Sequence, residues 1–477
     1  GTACAFLLPF FLFIHLAGYY VLGVSIFKNS WAGLLISLLV STPILTHYDF
    51  WGLTLDSLPR FLYQSLIPFL LALSIVRGNS PKWWPVIMGG LGILNYVHPL
   101  STPTWAIAFT FALWVSVTDM SFWKKVRMMA LAMGALIIIL LPFIMNYFGS
   151  TVTQTSAVVN YDQTIAILQA WFSTMSTSDP ITILSNFFAG TQDVVFNFIW
   201  YFVCGLAIAG IIFSWKLPND HSHAKQISAW MAGIFIGSGL IPILEQAVFA
   251  YLKQIPPEFE LIRTLRYMIP LILLSAFNAL WMARAYLQQK LNLNPTLSNR
   301  LLVGASVILL LAWGVRGESQ RPEFRHAVRQ NITCWLQAKI ICPLPRNSVN
   351  FIEILNEVRE KTPVGARIFS EGQEVAVRYY ALRPLMYTYK DGAPLAYTDS
   401  EQLLIWSNQH EAMDRLAFLR KFPFRRKGFM KDIVELAVNA GAEYLILSEP
   451  NEPNLFYPSS LSLVYSNESY SLYKINQ

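Results

Sequence analysis

Val126-Arg-Met-Met-Ala-Leu-Ala-Met-Gly-Ala-Leu-Ile-Ile-Ile-Leu-Leu-Pro-Phe-Ile-Met-Asn-Tyr147 carries one charge, Arg127, in an otherwise apolar run. A run of roughly 17–25 such residues is long enough to cross a bilayer as a helix. Lys124 and Lys125 precede it, and the connection that follows, 148–195, contains no Lys or Arg. Cations collect in short cytoplasmic connections. This one stretch therefore gives both a fold class and a direction across the membrane.

The same criterion applied outward gives about ten spans, at 4–27, 31–47, 59–76, 83–98, 102–118, 126–147, 196–215, 226–252, 266–289 and 299–315. Alternate connections carry Lys28; Arg77 and Lys82; Lys124, Lys125 and Arg127; Lys216 and Lys225; Lys290 and Arg300. The intervening connections, 47–60, 97–103, 148–195 and 253–265, hold only Arg60, Lys253 and Arg263. The first set is expected in the cytoplasm, which places residue 1 and the tail after the tenth span outside.

Composition agrees. Only 13% of the chain is charged and its mean hydropathy is +0.43, against roughly 25% charged in soluble domains. The charge is uneven: residues 1–317 hold 16 Lys+Arg and 10 Asp+Glu, residues 318–477 hold 19 and 18. A shift of that size marks a domain boundary. The expected fold is an all-α polytopic membrane bundle over 1–317 followed by a small soluble α/β domain over 318–477. The net charge of +7 does not point to nucleic acid, because most bundle cations lie where topology needs them. Cys334 and Cys342 can form a disulfide only in an oxidising compartment and not within one continuous helix, where eight residues span about 12 Å. The chain begins Gly-Thr-Ala-Cys with no basic segment before the first apolar run. It reads as a fragment or processed chain lacking its natural first helix and first outer loop.

Within the tail, helical spacing is expected over 351–361, 373–381, 400–419 and 431–440, with Gly441 as a helix stop. A turn followed by a short strand is expected over 362–370 and strands over 385–389 and 443–447, with a closing hairpin of 462–465 and 470–475. The segment 418–431 is basic, with Arg420, Lys421, Arg425, Arg426, Lys427 and Lys431. It reads either as a headgroup-binding patch or as a solvated face.

Candidate functional residues lie in the expected outer connections. His47-Tyr-Asp-Phe-Trp-Gly-Leu-Thr-Leu-Asp-Ser-Leu-Pro-Arg60 concentrates Asp49, Asp56 and Arg60 at a membrane edge, where ionisable groups are costly. The alternative is an amphipathic connector with Tyr48 and Trp51 at headgroup level. His98 stands in the turn before Pro99. Segment 253–266 carries Glu258, Glu260, Arg263 and Arg266. The two arginines, three apart, share a helix face, and paired guanidinium groups suit a diphosphate. An internal Glu–Arg network is the competing reading. Glu245, inside an apolar run, should face the bundle or a wet cavity. In 148–195, the runs 165–172 and 181–188 read as short amphipathic helices at the outer interface or as a cap over the bundle.

Asp56-Ser-Leu-Pro-Arg60, Asn95-Tyr-Val-His-Pro99, Thr362-Pro363, Arg383-Pro-Leu-Met-Tyr-Thr-Tyr-Lys-Asp391, the helix with Trp406 and Val464-Tyr-Ser-Asn-Glu-Ser-Tyr-Ser-Leu-Tyr473 together resemble a known group. The pattern is similar to the GT-C superfamily of integral-membrane glycosyltransferases, in its bacterial, often cyanobacterial, multi-spanning branch with a soluble carboxy-terminal domain. The resemblance implies a polyprenyl-phosphate or -diphosphate sugar donor, transfer on the outer face, and often a divalent cation such as Mg or Mn. It also implies a catalytic acid in the first outer loop, upstream of residue 1. Of the residues present, Asp49, Asp56 and His98 are candidates for proton transfer or a metal, with helix capping and interfacial hydration as the alternative. Arg60, Arg263 and Arg266 are candidates to neutralise a leaving phosphate, with Glu245, Glu258 and Glu260 beside them in the substrate-binding set. The rival class is a non-catalytic multi-spanning protein, either a transporter or a subunit of a complex. No internal repeat of the transporter kind is visible.

Overall fold

The computed structural model describes residues 2–42, 44–45, 50–52, 59–149, 161–171, 180–189, 194–216, 222–255, 261–290, 294, 296–297, 300, 303–304, 307–308, 346–372, 376–392, 394–395, 399–420, 426–448 and 459–476. The chain divides into two compact units, Gly1–Thr151 with Ser173–Cys342, and Val152–Phe172 with Pro343–Gln477.

The first unit is helical: α1 (Thr2–Phe27), α2 (Ser30–Ser41), α3 (Pro59–Arg77), α4 (Trp84–Asn95), α5 (Thr102–Ser116) and α6 (Phe122–Gly149). After α7 (Tyr161–Trp171), which belongs to the second unit, come α8 (Pro180–Ala189), α9 (Val194–Lys216), α10 (Ser222–Phe235), α11 (Ile241–Leu252) and α12 (Met268–Lys290). A two-stranded ribbon of β1 (Ile44–Leu45) and β2 (Phe50–Trp51) follows α2.

Five helices are long and apolar enough to cross a membrane: Pro9–Phe27, Pro59–Arg77, Phe122–Asn146, His223–Leu252 and Leu261–Tyr286. The expected count of about ten is not reached among the described residues. Three expected spans are cut short by local chemistry. Thr42, before Pro43, is extended at φ −66 and ψ 138 and closes the 12 residues of α2, as the residue before proline must. The 12-residue α4 stops at Asn95, before His98-Pro99, and the 15-residue α5 starts only at Thr102. Twelve helical residues rise about 18 Å, well short of a bilayer core of roughly 30 Å. The segment 299–315 lies almost wholly outside the described residues.

The most apolar span is also the most exposed. Only 17% of the α6 window is buried, and Ile138 is 72% exposed. Large apolar side chains shown outward along a whole helix need a non-aqueous neighbour, and a bilayer supplies one. Inward-facing helices instead approach closely. On α10, a Cβ at Gly233 would stand 2.3 Å from Ala108 Cα of α5, so only glycine permits this approach. One turn on, Gly237 faces Thr104 of α5, a small-residue spacing that lets helix backbones meet. There the helix widens into a π turn, Ile236–Leu240, which joins α10 to α11.

Polar contacts tie together both ends of this bundle. Gln226, at the start of α10, donates through Nε2 to Ser74 O near the end of α3 at 3.2 Å, and to Ser116 Oγ at the end of α5. The opposite ends of α3 and α5 meet the start of α12, where the candidate site lies.

The second unit is α/β. A four-stranded sheet in the order β3 (Ile368–Ser370), β4 (Tyr444–Ser448), β6 (Tyr470–Ile475), β5 (Leu461–Ser466) is parallel at β3–β4 and antiparallel elsewhere. Central β4 is buried along Tyr444–Leu447, as a strand covered on both faces requires. Tyr444 and Ile446 pack with Phe351, Ile354, Leu355 and Val358 of the helix Arg346–Lys361. That helix ends on Arg383, 7% exposed, which donates to the carbonyls of Arg359 and Thr362 at 2.8 and 2.7 Å and to Thr362 Oγ1 at 3.0 Å. A cation on the last carbonyls satisfies them and offsets the helix dipole. The expected strand 385–389 is reduced to one bridge, Leu385 to Ile368, because Thr388 O accepts the Trp406 indole at 2.9 Å. The expected helices 400–419 and 431–440 appear as Ser400–Arg420 and Arg426–Asn439, and Gly441 takes φ +76.

Candidate functional site

Three elements converge at one end of the first unit. The start of α3 brings Arg60 and Tyr63. The turn Pro99–Ser101 follows His98, whose extended backbone (φ −152, ψ 93) precedes proline at the first turn position. The third element is a 3-10 helix, Leu261–Tyr267, that leads into α12.

A hydroxyl relay ties these elements together. His98 Nδ1 lies 2.9 Å from Ser101 Oγ, which lies 2.8 Å from the Tyr267 hydroxyl. Thr264 Oγ1 donates to Leu261 O at 2.5 Å, so it accepts from Thr104 Oγ1 at 2.7 Å. The Tyr267 ring is walled by Trp105, Trp51 and Tyr63, with centroids 5.3, 5.9 and 6.2 Å away. Tyr63 in turn meets the His98 ring edge-on at 6.1 Å.

Positive charge is concentrated here. Arg266 is 4% exposed and its Nε donates to Arg263 O at 2.7 Å. Residues three apart eclipse on a 3-10 helix, so the expected shared face of Arg263 and Arg266 is kept. His98 lies beyond the end of α4, in the connection between helices. Burial first, then Arg266 and Arg60, hold its imidazole down at about 4, so it is neutral at physiological pH. The structure thus brings together His98, Arg60 and Arg266, from three separate expected outer connections. It also supplies Ser101 and Tyr267, which the sequence reading passed over. Their only signal was position, Ser101 three residues after His98 and Tyr267 next to Arg266.

Glu245 is half-buried on α11, inside the His223–Leu252 span, and its Oε2 has no hydrogen-bond partner among the described residues. Asp49, Asp56, Glu258 and Glu260 lie outside the described residues, as do Cys334 and Cys342. Among the described residues no group of three or more His, Cys, Asp or Glu side chains is arranged to hold a metal ion.

In the second unit an open cleft of about 490 Å³ separates the helices Ser400–Arg420 and Arg426–Asn439, lined by Glu411, Arg415, Asp432 and Glu435 among others. No family model matches the chain, and no curated protein matches it.

Proposed function

We propose that this chain is a GT-C-like membrane glycosyltransferase, moving a sugar from a polyprenyl-phosphate or -diphosphate carrier to an acceptor on the extracytoplasmic face of a bacterial plasma membrane. The observation that carries the reading is the placement of Arg60, His98 and Arg266 on three elements that meet through Ser101, Tyr63 and Tyr267 at one end of an apolar bundle. A lipid carrier holds its phosphate at the membrane edge with its tail among apolar helices. Guanidinium groups offer that phosphate a planar fork of donors and neutralise the charge it gains as a leaving group. Glycosyl transfer also needs a group to take the acceptor's proton. A neutral imidazole such as that of His98 carries one ring-nitrogen lone pair that can take a proton, and Asp49 and Asp56, in an expected outer connection, are the carboxylate candidates for the same task. The alternation of Lys and Arg among the connections supports the outer face.

A second reading, a non-catalytic multi-spanning subunit, is favoured by the close aromatic wall of Trp51, Tyr63 and Trp105 around Tyr267. Donor binding separates the two. Arg60 is half-buried at a helix start, so Arg60→Ala spares the core where Arg266→Ala cuts into it. Under the transferase reading Arg60→Ala and Arg263→Ala each weaken equilibrium binding of a polyprenyl diphosphate about tenfold, as loss of a charge-assisted bond does. Unchanged affinity in both refutes the assignment of these cations.

A further inference from the structure

The helix α7 lies in sequence between α6 and α8, both of the first unit, yet it folds with the second. Its burial pattern states the reason. Thr164, Ile167, Leu168 and Trp171 are buried or half-buried, while Asp162, Gln163, Ala166, Gln169 and Ala170 are exposed. Spacing of i, i+3, i+4 and i+7 is one helical stripe. Eleven residues are too few to hold a helix alone in water, so the stripe must be covered. The helix Ser400–Arg420 covers it.

Trp171 is the anchor. Its indole Nε1 donates to Ser407 Oγ at 3.3 Å, and its ring meets His410 edge-on with centroids 4.2 Å apart. Its carbonyl, one of those a helix end leaves without an internal partner, accepts the Tyr389 hydroxyl at 2.6 Å. The receiving surface is itself braced, since His410 Nδ1 bonds the Tyr387 hydroxyl and its ring stacks on Trp406 at 5.1 Å. Two polar bonds and one ring contact therefore converge on one residue from positions 218 to 239 residues later in the chain. A surface helix merely resting on lipid would have no such partners.

We propose that α7 is a strap: although it lies in sequence between two helices of the first unit, it is a structural part of the carboxy-terminal unit, and α7 and that unit lie on one and the same side of the membrane. This holds whatever the distribution of Lys and Arg among the connections and whether or not the chain transfers a sugar.

The test uses the full chain with Cys4, Cys204, Cys334 and Cys342 replaced by Ser, carrying either Ala170→Cys on α7 or Lys474→Cys on β6, both exposed. A membrane-impermeant maleimide is applied to sealed vesicles of one orientation. Both sites should react from the same side, and reaction from opposite sides overturns the proposal. Hydrogen exchange on otherwise unaltered protein in detergent provides the second arm. Trp171→Ala should speed exchange at least tenfold in 161–171 and in 400–420, and leave α5 and α10 unchanged. Exchange in 161–171 that is fast in the parent protein, or indifferent to Trp171→Ala, overturns it equally.

Discussion

Ser101 Oγ stands 2.8 Å from the Tyr267 hydroxyl across 166 residues of chain. With His98 Nδ1 on its other side, this buried hydroxyl joins the α4–α5 connection to the start of α12. Tyr267→Phe keeps the ring against Trp51, Tyr63 and Trp105 and deletes the bond. Ser101 keeps its bond to His98, so the loss is that of one hydrogen bond, about 0.5–1.5 kcal/mol. The midpoint of thermal unfolding in detergent should drop accordingly. An unchanged midpoint would show that the pair contributes nothing.

His98 supplies a pH prediction. Its imidazole is held at about 4 against an ordinary 6.5, by burial first and then by Arg266 and Arg60. A folded value below the unfolded one makes the neutral form's contribution complete above pH 6.5 and lost as pH falls from there through about 4. Stability should therefore decline on acidification, and Arg60→Gln should move the His98 titration upward by removing one repelling charge. Chemical-shift titration of labelled histidine reads both. A His98 midpoint near 6.5 in the parent protein contradicts the arrangement.

The outward face of α6 tests the membrane assignment. Ile138 is 72% exposed within the Phe122–Asn146 span, a position where Asp costs about 2.5–3.5 kcal/mol of insertion at a helix centre. Ile138→Asp should shift an appreciable fraction of α6 out of the bilayer in an insertion assay with reporter sites flanking the helix. Full insertion would mean that this face is covered by something other than lipid.

In the second unit, Arg383 closes the helix Arg346–Lys361 through its bonds to Arg359 O, Thr362 O and Thr362 Oγ1. Arg383→Met preserves the stem and strands those acceptors, at a cost of about 2–4 kcal/mol given 1.5–3 per charged bond and partial relaxation. Arg383→Lys should recover only part, because an ammonium cannot span three acceptors as a planar fork does. Urea unfolding followed by tail tryptophan fluorescence measures both. Equal stability of the parent and Arg383→Met would remove the capping role.

Much of this architecture was legible because it rests on local signals. Five of the expected spans, the tail helices Arg346–Lys361, Ser400–Arg420 and Arg426–Asn439, and the hairpin of β5 and β6 follow from periodicity and turn residues, and Gly441 at φ +76 sits where a helix stop was expected. Long-range partners were not legible. The stripe Thr164–Ile167–Leu168–Trp171 announces a buried face but not what buries it, so α7 read as an interfacial helix or cap rather than as part of the tail domain. Segment 385–389 has strand-like alternation, yet Tyr387, Thr388 and Tyr389 serve the Trp406–His410 cluster instead of a sheet edge. At the candidate site, His98, Arg60 and Arg266 stood out as rare ionisable groups in apolar surroundings. Ser101 and Tyr267 did not, because a hydroxyl gains meaning only from its neighbour.

The most direct test of the central claim is sugar transfer itself. The protein, reconstituted in vesicles, is supplied with a panel of radiolabelled polyprenyl-phosphate and -diphosphate sugars and an extracytoplasmic lipid extract as acceptor. Label should move from at least one donor to an acceptor, with the rate reduced in Arg60→Ala. No transfer from any donor by protein whose fold is verified by thermal unfolding would contradict it.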